Sequence, residues 1–391
     1  MPERDAPEAA LRAARIGSAV AASGLEAIVA AAPDTVGYLS GFYHPDLRYV
    51  PKRLHLVIWP AHGDPVFVVP EPRALHWIGQ GDKSYMGPED FRPQIEKIRP
   101  YGGEGLAAAC TVAEVLRELG VDNGEIGVEP LFLPWGFAAE LRRMCSGLEL
   151  GNASPVIDQI ISCKSDADAE GIIDLNQDTA RMLESVLANA RPGETEREVS
   201  GRVVQELWRR GATELVHGIL AVGPRSAGWH ALPGRNELAE GQLIRTDWGT
   251  RNANGYASDI ARNAVVGRAS AAQKDRFARI SEAHDIVVDA VRPGVLASEL
   301  ALLARRSYQR LGLEFRWGIT GHGIGRTVQE APLLWPDVHT PVQEGMTLQI
   351  ELGYFGEREV YHIEDLIRVT STGAVNLTQL TPERRLIESS W

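Results

Sequence analysis

A two-domain protein of mixed α/β (α+β) class is what the sequence predicts, and three observations carry that prediction. At 391 residues the chain exceeds what one hydrophobic core ordinarily serves. Strand-like runs alternate with helical patterns over residues 1–160. The remainder, 161–391, contains one pattern twice, as duplicated halves related by a pseudo-two-fold axis would.

In the first domain, Leu11, Ile16, Val20 and Leu25 recur at helical spacing and predict a helix over 8–24 that Gly24 ends. Residues 27–32 read as a short buried strand, stopped by Pro33-Asp34. Strands over 54–59 and 65–69 follow, joined by the turn Ala61-His62-Gly63-Asp64. Helices are expected at 111–119 and 134–144, around a short strand at 126–128. Ser154-Pro155 opens a connecting segment, and the second domain starts with a long helix over 165–191. Ser165 is its N-cap, and Pro192-Gly193 is its stop.

The repeat has several parts. Residues 240–259 read E-G-Q-L-I-R-T-D-W-G-T-R-N-A-N-G-Y-A-S-D, and residues 344–364 read E-G-M-T-L-Q-I-E-L-G-Y-F-G-E-R-E-V-Y-H-I-E. Each opens on Glu-Gly, runs through apolar residues to an acid with Gly two residues beyond (Asp247 and Gly249; Glu351 and Gly353), and returns to a second acid, Asp259 or Glu364. Separations of 12 and 13 residues fit a strand, a turn and a returning strand, so each copy reads as a β-hairpin with an acid on either arm. Upstream, Arg191-Pro192-Gly193 recurs 101 residues later as Arg292-Pro293-Gly294, with Glu198 or Glu299 following five residues after the Gly. Helical patterns over 199–210 and 300–311 end near Gly211 and Gly312.

The runs 242–246 and 346–350 are therefore expected as half-buried strands ending on an acid. One buried carboxylate without a partner is costly, and four together are untenable unless cations neutralise them. Gly321-His322-Gly323-Ile324-Gly325 adds a histidine where glycines let other backbone approach closely. One imidazole and four carboxylates form a hard, oxygen-rich ligand set suited to Mn²⁺, Fe²⁺, Co²⁺ or Zn²⁺, and four negative charges suit two divalent ions better than one.

Composition narrows the partners. A hydrophobic content of 44% and a charged content of 24% describe a soluble globular protein. A net charge of −12 argues against nucleic acid or an anionic membrane, since phosphate binding needs a basic face. Cys110, Cys145 and Cys163 show no metal-ligand spacing, and a reducing cytoplasm is the simplest setting for them. Glu3, Asp5 and Glu8 with no continuous apolar run argue against a signal peptide or a membrane span.

These pieces together resemble the pita-bread metallopeptidases, which include aminopeptidase P, prolidase, methionine aminopeptidase and creatinase. The resemblance lies in D-W-G-T-R-N-A-N-G-Y-A-S-D-I-A-R at 247–262, G-H-G-I-G at 321–325, E-G-M-T-L-Q-I-E at 344–351 and I-E-D-L-I-R-V-T at 363–370. G-L-E-A-I-V-A at 24–30 and Y-L-S-G-F at 38–42 are similar to the creatinase-type N-terminal domain. The resemblance implies a creatinase-type domain at 1–160 and a pita-bread catalytic domain at 161–391. It further implies that Asp247 binds one metal, that Asp259 and Glu364 bridge two, and that His322 and Glu351 complete the second. A water bridging the metals would be the nucleophile, with Glu351 shuttling a proton. His230, in G-P-R-S-A-G-W-H at 223–230, matches the family histidine that contacts substrate and stabilises the tetrahedral intermediate.

Two positions depart from the peptidase pattern. Where these enzymes usually carry a second histidine seven residues after the metal histidine, this chain has Gln329, which cannot transfer a proton near neutral pH. Where they carry Arg two residues before the last glutamate, it has His362, a titratable ring in place of a permanent planar cation. Gln329, His362 and His230 are thus the expected substrate-binding positions. The first hairpin also has one residue more between its acids than is usual, which the turn at 252–254 can absorb.

The leading expectation is a metal-dependent hydrolase of Xaa-Pro peptides. The alternatives are an enzyme for a small non-peptide substrate, by creatinase-like C–N hydrolysis or dimethylsulfoniopropionate-type C–S cleavage, and a non-catalytic binding module. The resemblance also implies a homodimer, with Phe42, Tyr43, His44, Trp77 and Tyr85 as lid or pocket candidates in the first domain.

Overall fold

Residues 5–44, 46–50, 52–71, 93–356 and 359–391 are described by the computed structural model, which divides into two units, Met1–Ile161 and Ser162–Trp391. Trp77 and Tyr85 lie outside the described residues. The first unit is built on a mixed sheet of β1 (Ala27–Ala30), β2 (Leu56–Pro60), β3 (Val66–Pro70), β4 (Lys97–Tyr101), β5 (Glu125–Val128) and β6 (Glu149–Asn152), in the order β4-β3-β2-β1-β5-β6. Its central strand β1 is buried throughout, pairing antiparallel with β2 and parallel with β5.

Several sequence expectations need correction here. The first helix spans Asp5–Ala22; Ile16 and Val20 face the core, but Leu11 is exposed. Pro33 does not only stop a strand, because it opens the helix Pro33–Ser40, where its fixed φ and missing N–H suit the first turn. The segment after Ser154 is itself a helix, Ser154–Ser162. Phe42 is fully buried against Phe67 and His55, so it is a core residue of this unit and not a lid; Tyr43 and His44 are half-buried.

In the second unit the helix Asp166–Ala188 starts where expected, its Ser165 side chain accepting from the Asp168 N–H. The helices Glu196–Arg209 and Ala297–Arg310 occupy equivalent places in the two halves. The repeated glutamates are helix caps: Glu198 accepts from the Thr195 N–H at 2.7 Å and Glu299 from the Leu296 N–H at 2.9 Å. The sheet of the first half contains β7 (Ala212–Val222), β8 (Leu243–Asn252), β9 (Ala257–Val265) and β15 (Ile387–Glu388), in the order β15-β9-β8-β7. That of the second half contains β10 (Gly321–Gly323), β11 (Glu330–Leu333), β12 (Thr347–Phe355), β13 (Val360–Val369) and β14 (Ala374–Asn376), in the order β11-β10-β12-β13-β14.

Both acid-bearing hairpins form, but their strands are longer and more buried than their apolar runs indicate. Asp247 and Glu351 sit inside β8 and β12 and do not end them, and β9 and β13 are buried along nearly their whole length. One face of β9 packs on the helix Asp166–Ala188 and the strand also packs against β13, so no half-solvated face remains. In the turn of the first hairpin, the Asn252 side chain accepts from the N–H groups of Asn254 and Tyr256.

Arg262 ties the two returning strands together. From β9 it donates to the Glu364 carbonyl at 2.9 Å and pairs with the Asp365 carboxylate at 3.0 Å, both on β13. Asp365 is fully buried, also pairs with Arg384, and accepts from Thr378 at 2.8 Å and Asn376 at 3.2 Å. Burial opposes its charge, but Arg384 and Arg262 outweigh that and hold the carboxyl far below the usual carboxylate range. Removing one member of such a buried set leaves charge without compensation. Asp365→Asn is therefore expected to cost about 3–5 kcal/mol at neutral pH, read from denaturant midpoints. Because the folded-state pKa is depressed, this stabilisation is present above the unfolded value of about 3.9 and is lost as the pH falls below it. The gap between wild type and variant should accordingly narrow in acid; a gap constant down to pH 3 would show that charge is not its origin.

Candidate metal centre

Side-chain parity puts the acids of each hairpin on one face. Gly249 pairs with Asp259 and Asp247 with Ala261, while Glu351 pairs with Glu364 and Gly353 with His362. His322 enters from β10, whose flanking glycines are sterically required. A Cβ on Gly321 would strike the Gln349 carbonyl, and one on Gly323 the Ala331 carbonyl. The His322 Nδ1 lies 3.0 Å from its neighbour's carbonyl, Gly323 O, which makes Nδ1 the protonated nitrogen and leaves the Nε2 lone pair free to ligate.

That Nε2 is 3.8 Å from Asp259, 3.7 Å from Glu351 and 3.7 Å from Glu364, so the expected donors of the second metal converge. Three overlapping groups have ligand atoms within 4.8 Å of one another: Asp259, His322 and Glu364; Asp247, His362 and Glu364; and His217, Asp247 and Asp259. All the sequence-predicted metal residues are thus gathered, joined by His362 and by His217, which sequence reasoning missed.

The donor set fits cations. Among the described residues, Asp259 Oδ1, Glu364 Oε1 and His362 Nδ1 are buried without a hydrogen-bond partner. Burial, then the charges of Asp259, Glu351 and Asp247, raise the Glu364 carboxyl well above its ordinary value. Burial also lifts Asp259, opposed by His217 and reinforced by Asp247. Burial works against the charge of Asp247 as well, yet the His217 imidazole holds its carboxyl below the usual range. His217 itself, despite burial, is pushed up to about 11 by Asp259 and Asp247. In the absence of a cation, this histidine supplies part of the positive charge the carboxylates need.

Each hairpin glycine two residues after the acid supports a ring. A Cβ on Gly353 would run into the Trp317 indole, and one on Gly249 into the His217 imidazole. Lying over Gly353, Trp317 donates from Nε1 to Glu351 Oε2 at 3.2 Å. The same oxygen is 3.2 Å from His362 Nε2, and the His362 ring lies 4.5 Å from Trp317. Trp229 and Phe355 extend this aromatic face, at 4.7 and 5.7 Å from Trp317. Buried Arg245 donates to the carbonyls of Ser226, Gly228 and Trp229 at 3.0–3.1 Å and so fixes the turn that leads to His230.

The three expected substrate positions are placed differently. His362 is buried and faces the carboxylates. His230 lies in an exposed turn beside Trp229, ring centroids 6.2 Å apart. Gln329 is exposed, and among the described residues neither it nor His230 has a hydrogen bond. Its neighbour Glu330 is the buried one, paired with Lys164 at 2.6 Å and capping the Arg326 and Thr327 N–H groups. His217 was not legible because no motif surrounds it in E-L-V-H-G-I; the available signal was its strand parity opposite Gly249.

Comparison with known proteins identifies both domains. Residues 12–160 match the creatinase/prolidase N-terminal domain, and residues 171–371 match metallopeptidase family M24. The Xaa-Pro dipeptidase of Pyrococcus horikoshii is 30% identical over 277 residues, covering 70% of this chain and 76% of that protein. The putative dipeptidase YkvY of Bacillus subtilis is 27% identical over 377 residues, covering 94% and 97%. Among solved structures, dipeptidase PepE from Mycobacterium ulcerans superposes with a TM-score of 0.81 at 25% identity, covering 97% of this chain and 98% of that one. The prolidase from Pyrococcus horikoshii superposes with a TM-score of 0.78 at 26% identity, covering 96% and 100%. The chain belongs to metallopeptidase family M24: it is a metal-dependent hydrolase in which a creatinase/prolidase N-terminal domain is joined to a pita-bread domain.

Proposed function

We propose that this enzyme hydrolyses Xaa-Pro dipeptides and other short Xaa-Pro peptides at a centre for two divalent cations, held by Asp247, Asp259, His322, Glu351 and Glu364 in the domain at 161–391. The observation that carries this reading is the convergence of these five side chains from two hairpins and β10, with oxygens of Asp259 and Glu364 buried and without a hydrogen-bond partner among the described residues. Mn²⁺, Fe²⁺, Co²⁺ and Zn²⁺ all suit such donors. When bound, the cations supply Lewis acidity toward the scissile carbonyl and acidify water.

The chain's own groups do the rest. Glu351 is oriented through Oε2 by Trp317 and His362, which leaves Oε1, on the His322 side, to ligate and to hold a proton in transit. His322 is oriented by the Gly323 carbonyl. His230, on the turn fixed by Arg245, donates a hydrogen bond to the carbonyl oxygen as charge develops there. His362 and the aromatic face of Trp317, Trp229 and Phe355 border the substrate, and Gln329 contributes at its outer edge.

The relatives named as dipeptidases support a peptide substrate and do not favour the creatinase-like or C–S lyase readings. A homodimer in a reducing cytoplasm completes the proposal; Cys110 and Cys145 as free thiols are consistent with that setting.

Metal analysis of protein purified without added metal, followed by chelation and readdition, is the direct test, with Xaa-Pro dipeptides assayed beside small amides, betaines and sulfonium compounds. Chelation should abolish Xaa-Pro cleavage and a divalent ion restore it; cleavage that survives in metal-free protein would refute the assignment. Glu351→Ala should lower kcat/KM at least about 10³-fold, roughly 4 kcal/mol of transition-state stabilisation. Exposed Gln329 should matter less: Gln329→His is expected to change kcat/KM by less than about tenfold, under 1.4 kcal/mol. Peptide cleavage appearing only in that variant would mean that the natural substrate is not an ordinary peptide.

A further inference from the structure

We infer that His217 is a nitrogen ligand of the cation shared by Asp247 and Asp259, a sixth protein donor outside the five that the sequence pattern identifies. The inference rests on the two-cation reading above, and four observations carry it.

The first is distance. His217 Nε2 lies 2.9 Å from Asp247 Oδ1 and 3.1 Å from Asp259 Oδ1. Two donors bound to one cation at about 2.1 Å each and at right angles stand about 3.0 Å apart. The second is valence. A ring nitrogen carries one hydrogen, and its hydrogen bond goes to Asp247, whereas Asp259 Oδ1 is buried without a hydrogen-bond partner among the described residues. Loss of that proton on metal binding would leave a lone pair aimed at the space the two aspartate oxygens share.

The third observation is that the space is built for the ring. His217 of β7 pairs with Gly249 of β8, which in turn pairs with Asp259 of β9, so the three form one cross-strand row. Any side chain at position 249 would collide with the imidazole. The fourth is the contrast with the other half, where Trp317 lies over Gly353 and reaches Glu351 in the same way. An indole N–H can only donate, so Trp317 is a positioning residue. An imidazole in the equivalent place can ligate.

His362 also groups with Asp247 and Glu364, but its Nε2 shares Glu351 Oε2 with the Trp317 N–H, which gives this ring a part in holding Glu351. With His217 on one cation and His322 on the other, each site gains one imidazole. Imidazole suits zinc, iron, copper and nickel, and carboxylate suits manganese, so the added nitrogen moves the centre's preference away from Mn²⁺ and toward Zn²⁺ or Fe²⁺.

The test uses the full-length metal-free protein, titrated with Zn²⁺ and separately with Mn²⁺ against a chromophoric chelator. X-ray absorption of the Zn²⁺-loaded form counts the imidazoles. Wild type should bind two Zn²⁺ with about one imidazole per ion. His217→Gln keeps an N–H donor for Asp247 but removes the ring; it should weaken Zn²⁺ binding at one of the two sites by about 10–100-fold and halve the imidazole signal. His362→Gln should leave that signal unchanged. If wild type takes up two Zn²⁺ with a single imidazole, a count that needs no variant, or if His217→Gln retains both affinities and the full imidazole signal, His217 is not a ligand. If wild type binds no divalent cation, the two-cation reading falls as well, so the two failures are distinguishable.

Discussion

Mutual repulsion among buried carboxylates is the constraint on which the rest of the C-terminal unit depends. Asp247, Asp259, Glu351 and Glu364 sit within strands, where water cannot disperse their charge. Their neighbours answer that problem in two ways. Outside the cluster, Arg262 clamps β9 to β13 and shares the buried charge of Asp365 with Arg384, which fixes the distance between the hairpins. Inside it, His217, His322 and His362 bring imidazoles against the oxygens. Imidazoles alone do not satisfy the set, since among the described residues oxygen atoms of Asp259 and Glu364 remain buried without hydrogen-bond partners. A divalent cation offers the concentrated positive charge and several coordination positions that such oxygens need.

The duplicated architecture places these groups, and small differences between the halves give them separate tasks. In both halves a glycine two residues after the first acid removes the side chain that would otherwise fill the strand face, and a ring from the preceding segment occupies that space. One ring is imidazole and the other indole. Trp317 therefore serves to hold Glu351 and to build an aromatic face with Trp229 and Phe355, while His217 presents a nitrogen to the two aspartates. The leading strands differ as well: β7 is 11 residues long and β10 only three. The short strand with its flanking glycines lets His322 sit between neighbouring backbones.

Much of this was legible in the chain itself, for identifiable reasons. Ser165 as a cap located the start of the helix Asp166–Ala188, and a helical pattern ending at Gly211 located most of Glu196–Arg209, because these signals act within a few residues. The repeated acids and glycines marked both hairpins, since a duplication preserves spacing whatever the surroundings. Other features escaped. Strand lengths were underestimated at β8 and β12, because the polar residues beyond the apolar runs are buried by other elements and not by their own hydrophobicity. Pro33 read as a stop and is also a start, and Leu11, in helical register, faces outward. Gln329 belongs to the family pattern by position, yet its side chain is exposed while that of Glu330 is buried.

From residues alone came the class, the duplication, five candidate oxygen and nitrogen donors and the reason to expect cations, since charge and local spacing are properties of the chain in one dimension. Folding decided which groups share the space around them. His217 precedes Asp247 by 30 residues and Asp259 by 42, with no motif linking them, and only the register of β7 on β8 and β8 on β9 brings the three into one row. Cross-strand neighbours are set by pairing and not by proximity along the chain. For that reason the identity of the additional imidazoles, and the roles of Gly249 and Gly353 beneath their rings, belong to the tertiary structure.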